Sequence, residues 1–107
     1  MPGGDLDSDA VLDNVRWLCE LPSASIDDVE RVLTDGYACV LRTEDERRSL
    51  RGRLQERAAT VSSAGSPDEA LEIRMLAQGI ARADREIEEL RAALRSLAAK
   101  AGSLRVA

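Results

Sequence analysis

The feature that most constrains this chain is a run of ten apolar positions at alternating spacings of three and four: Ile73, Leu76, Ile80, Ala83, Ile87, Leu90, Leu94, Leu97, Ala101 and Leu104. Glu and Arg recur between them. More than four heptads of this kind specify one long amphipathic helix whose seam must be covered by another helix. Its start is marked by Ser66-Pro67-Asp68-Glu69, which combines an N-cap, a proline at the first helical position and a capping-box glutamate. A helix over 67–104 follows.

The covering helix lies upstream. Ser25 is an N-cap with Asp28 three residues on, and Ile26, Leu33, Val40, Arg47, Leu54 and Val61 then recur every seven residues. Val29, Gly36, Thr43, Leu50 and Arg57 stand three residues after each of the first five. The repeat is heptad-like and interrupted in its middle. The two segments, 26–61 and 67–104, are 36 and 38 residues long, each about 55 Å at 1.5 Å per residue. Only Ser62-Ser-Ala-Gly-Ser66 separates them, so they predict an antiparallel hairpin. Pairing positions equidistant from that turn sets Leu33 near Leu97, Val40 near Leu90, Arg47 near Ala83, Leu54 near Leu76 and Val61 near Glu69.

A shorter helix is expected over 8–21, with Ser8 as N-cap and an apolar stripe of Val11, Leu12, Val15, Leu18 and Cys19 ended by Pro22. About 13 residues cannot hold a helix without tertiary contacts. The open end of the hairpin supplies them, because Val32, Tyr37, Cys39 and Leu41 there face the alanine-rich stretch 92–101. Trp17 and Leu21 are expected to cover the edge of the resulting three-helix cluster. The prediction is a single all-α domain over 1–107: a long antiparallel coiled-coil helical hairpin with a short N-terminal helix docked on its open end. Residues 1–7 are Gly- and Asp-rich and are expected to fray.

Composition narrows the function classes. Aromatic residues make up 2% of the chain, with Phe absent, so aliphatic seams must provide the core. The net charge is −5, which disfavours non-specific binding to nucleic acid or anionic membrane. No run of 18 apolar residues is present, and the opening Met1-Pro-Gly-Gly-Asp-Leu-Asp7 lacks the basic and apolar regions of a signal peptide, which points to the cytoplasm. With no histidine, the common zinc sets and every His-based triad are excluded, and no metal site or catalytic residues are expected. Cys19 and Cys39 both fall near the open end, within reach of each other, and are expected to act as small buried hydrophobes.

Charged chemistry concentrates in the middle of the second helix. Five arginines lie between positions 47 and 57 with one acid among them. They form either a solvated face paired to Glu44 and Asp45 or a site for an anion or phosphate. Arg47 stands on the seam where Leu or Ile fits the pattern. Its candidate partners are Glu44 one turn earlier and Asp84 or Glu86 across the hairpin, in a polar layer that fixes register. Gly36, Gly52 and Gly79 interrupt helices and read either as close packing against another chain or as surface tolerance.

The stretch Glu44 to Ala59 resembles the ligand signature of the RsiG-type anti-sigma factors, helical hairpins of high-GC bacteria that bind cyclic-di-GMP and hold a sporulation sigma factor inactive. Glu44, Arg51 and Gln55 match the glutamate, arginine and glutamine of that motif. Arg48 occupies its serine position and Ala59 its aspartate position. The resemblance implies a cyclic-di-GMP ligand held by Glu44, Arg48, Arg51 and Gln55, two chains around a dinucleotide dimer, and a sigma factor as partner. Without it, the reading is a regulatory or adaptor protein, since a two-helix rod buries only one stripe per helix and needs either homodimerisation or capture of a partner helix.

Overall fold

The computed structural model describes residues 7–61 and 65–106, and among these every extended element is an α-helix. Helix α1 is Ser8–Glu20, α2 is Ile26–Thr60 and α3 is Pro67–Val106. The boundaries fall within two residues of those the caps and breakers predict. The expected fraying of residues 1–7 falls outside the described residues except for Asp7, as does the centre of the expected turn at Ser62-Ser-Ala.

Local chemistry explains each start. Ser25 Oγ accepts from Asp28 N at 3.1 Å, and Ser66 Oγ accepts from Glu69 N at 3.2 Å, as the two capping sequences require. At α1 the cap is Asp7 rather than Ser8: its carboxylate accepts from Ala10 N at 2.8 Å. An anionic acceptor one residue earlier satisfies the free amides and the helix dipole better than a hydroxyl. Ser8 becomes the first helical residue, and its Oγ lies 3.6 Å from Cys39 Sγ.

The hairpin register agrees with the expected pairing. Leu94 packs against Gly36, Leu50 against Gly79, and Arg57 Nε meets Glu72 at 2.9 Å. All ten seam positions of α3 are buried or half-buried. On α2, Val29, Gly36, Val40 and Thr43 are buried, the Thr43 hydroxyl donating to Cys39 O at 2.9 Å. Toward the turn the seam opens. No residue of α2 after Thr43 is buried, and Arg57 and Val61 are exposed, because a two-helix rod has nothing to cover its flanks there.

At the open end α1 supplies that cover. It runs antiparallel to α2, and Val11, Leu12, Val15 and Leu18 join Val29, Cys39, Val40, Leu90, Leu94 and Leu97 in one core. Each large side chain buried there contributes about 2 kcal/mol of transfer free energy, which holds a helix too short to persist alone. Leu21 packs on this core, whereas Trp17 is 61% exposed and does not close its edge.

Lys100, the only lysine of the chain, completes the dock. Its Nζ donates to the carbonyl oxygens of Leu18 at 2.5 Å, Leu21 at 2.5 Å and Cys19 at 3.3 Å. Leu18 and Cys19 lie in the last turn of α1, where carbonyls lack helical partners and a cation suits the helix dipole, and Leu21 O, at the C-cap, also accepts from Ala24 N at 3.3 Å.

Candidate functional site

Helix α2 presents the arginine-rich stretch along a regular surface, so the residues singled out in the sequence can be placed by contact. Arg47 Nη1 donates to Asp84 Oδ1 at 2.8 Å, and Arg51 Nη2 lies 3.8 Å from the same oxygen. One carboxylate on α3 therefore receives two guanidinium groups from successive turns of α2. The pair sits at the rim of the seam rather than inside it: the Arg47 side chain is 23% exposed and that of Asp84 is 46% exposed. Ala83, the residue opposite Arg47 on the seam, is small and leaves room for this geometry.

Glu44 does not serve Arg47. Its carboxylate meets Arg91 Nη2 at 3.1 Å across the hairpin. Arg48 pairs within α2 to Asp45 at 3.1 Å, and both side chains are well exposed. Gln55 is exposed one turn beyond Arg51. Glu44, Arg51 and Gln55 share one helical face, seven and four residues apart, with Arg48 beside them. The structure thus unites Arg47, Arg51 and Asp84 and strings the other three candidates along the same side of the rod.

A shallow groove of about 390 Å³ lies along this region, lined by Arg47, Asp84, Ile87, Glu88, Arg91 and Arg95. Its arginines can offer bidentate donors to an anion, at the cost of exchanging the carboxylates that already hold Arg47 and Arg91. Among the described residues no cluster of three metal-ligating side chains occurs.

Known families, curated proteins and solved structures yield no match to this chain.

The two thiols correct one expectation. Cys39 lies by Ser8 at the start of α1, whereas Cys19 lies at its other end, with its thiol 4.0 Å from Ala93 O. The 13 residues of α1 span about 20 Å, too far for a disulfide. Both are free. Burial pushes the Cys19 thiol above its ordinary value of 9.0, an effect eased by Lys100 and reinforced by Glu20.

Two features escaped the sequence reading. Lys100 carried no periodic signal, being one of three polar residues, with Arg95 and Ser96, in the alanine-rich stretch 92–101. The exposed pair Leu71 and Met75, near the turn end of α3, stood outside the seam pattern. Their four-residue spacing was the available clue. Among the described residues, no helix is long and apolar enough to cross a membrane.

Proposed function

We propose that this chain is a non-enzymatic regulatory or adaptor protein of the cytoplasm that acts through coiled-coil protein–protein interaction. The observation that supports this most is the incomplete flank of the rod. Beyond Thr43 the hairpin is two helices with one seam, and Leu71 and Met75 stand on its side in solvent, Met75 at 62% exposure. A partner's amphipathic helix laid against that flank would extend the three-helix packing that α1 gives the open end. A flexible thioether suits such a surface.

The test uses the full chain as bait beside a variant carrying Leu71→Glu and Met75→Glu. A protein retained by the native chain and lost by the variant, then bound again when purified, supports the reading. Equal retention by both would reject it.

A second reading is a cyclic-di-GMP sensor of the anti-sigma factor type. It is favoured by the shared face of Glu44, Arg51 and Gln55 and by the arginine-lined groove beside it. Arginines would meet the phosphates and the ligand would alter assembly and thereby affinity for a sigma factor. Light scattering and calorimetric titration with cyclic-di-GMP decide this. Heat accompanied by a change in mass, both abolished by Arg51→Ala, supports the sensor; no heat eliminates it.

A further inference from the structure

Three ion pairs bridge α2 and α3 on the side of the hairpin away from α1. Arg105 Nη2 meets Glu30 at 2.6 Å, Arg91 meets Glu44 at 3.1 Å, and Arg51 lies 3.8 Å from Asp84. On each helix these positions differ by multiples of seven, so each helix carries them on one face. They form rungs, and one rung between the first two is apolar. Tyr37 stands seven residues from both Glu30 and Glu44, and Ala98 stands seven from both Arg91 and Arg105. Tyr37 is 49% exposed and its neighbour Leu41, one turn on, is 64% exposed. An apolar window framed by paired charges has the composition of an interface core within a polar rim.

We propose that a second copy of this chain docks on this face, with the twofold axis running along the rod so that α2 of each copy lies over α3 of the other. Charge selects both the occupant and the orientation. With the axis along the rod, levels match: Glu30 of one copy faces Arg105 of the other, Glu44 faces Arg91, and Arg51 faces Asp84. The Glu30–Arg105 and Glu44–Arg91 rungs each become a quartet of alternating sign, and at the third Asp84 gains a further guanidinium from the other copy. With the axis across the rod and centred on Tyr37, α2 lies over α2, so that Glu30 faces Glu44 and Arg91 faces Arg105, and like charges oppose throughout. In the selected arrangement Tyr37 and Leu41 project toward the small Ala98 of the other copy, neighbouring helices among the two α2–α3 pairs are antiparallel, and α1 stays on the outer surface.

This proposal rests on the reading of the rod as an association module, and sedimentation velocity on the full chain tests it separately. The native chain is expected to sediment as a dimer. Tyr37→Glu, at an exposed position, should retain helicity and weaken the dimer at least about thirtyfold. Glu30→Arg with Glu44→Arg should yield monomer, as should Arg91→Glu with Arg105→Glu. An equimolar mixture of those two double variants should restore the dimer, because every facing charge is then opposite. Leu41→Glu replaces Tyr37→Glu as the probe if the latter loses helicity. A monomeric native chain, a dimer indifferent to Tyr37→Glu or Leu41→Glu, or a mixture that stays monomeric would overturn the proposal. A monomer that still captures its partner through Met75 would sink the dimer and leave the proposed function standing.

Discussion

Leu94 closes over Gly36 so tightly that the position a Cβ would take on Gly36 is already filled by the leucine's terminal methyl, with Cδ1 and Cγ both at 3.3 Å. Leu94 is fully buried, so the methyl cannot swing aside at no cost. This glycine belongs to the contact between α2 and α3 of one chain, neither to packing against another chain nor to a tolerant surface. Gly52 has nothing within 4 Å of its missing Cβ. Gly36→Ala is therefore expected to destabilise by about 1 kcal/mol after its gain in helix propensity is subtracted. Gly52→Ala should stabilise by about 0.5–1 kcal/mol. Denaturant midpoints of the two variants, moving in opposite directions, check the assignment.

Lys100→Met removes the cation from the carbonyls of Leu18, Cys19 and Leu21 and leaves the methylene packing. A loss of about 2 kcal/mol is expected, concentrated in α1. Hydrogen exchange should show faster opening of the amides of α1 with little change in the centre of α3.

Arg47→Leu replaces a half-buried cation by the residue the heptad pattern favours, while Asp84 stays near Arg51 and in contact with water. Stability should rise by about 1 kcal/mol. The cost should be specificity, read as additional species in light scattering, since a polar layer at one level discriminates against shifted registers.

The raised value of Cys19 sets a direction for pH. A thiol whose folded value exceeds its unfolded one retains its proton longer in the folded chain, so its contribution is complete below the ordinary 9.0 and is lost as pH rises through the folded value. Stability is expected to fall across that alkaline window, and Cys19→Ala should flatten the fall. At pH 8, alkylation of Cys19 should be slower than that of an unhindered thiol.

How much of this was legible beforehand can be traced to particular residues. The hairpin register followed from the seam of α3 and the short interval between Val61 and Ser66, because heptad spacing and capping are local signals. Asp84 was among the partners named for Arg47, since helix geometry limits the choices across a known register. The separation of Cys19 from Cys39 was not legible, because it depends on the direction in which α1 crosses α2. Nor was the role of Lys100, whose acceptors are backbone carbonyls that no side-chain pattern marks. The pairing of Glu44 to Arg91 instead of Arg47 turns on which flank of the seam each side chain leaves from. That is a difference of about 100° around the helix, which sequence spacing alone does not assign to a neighbour.

The lysine that fastens α1 lies 82 positions downstream of Leu18, and Leu90, Leu94 and Leu97 of the shared core are almost as distant. As the chain leaves the ribosome, α1 and α2 emerge with their apolar stripes uncovered and must wait for nearly all of α3 before either can settle. At 5–20 residues per second that interval lasts several seconds. Until α3 arrives, the α1 and α2 segments keep their apolar stripes unsatisfied, open to any chaperone or companion chain that can hold them.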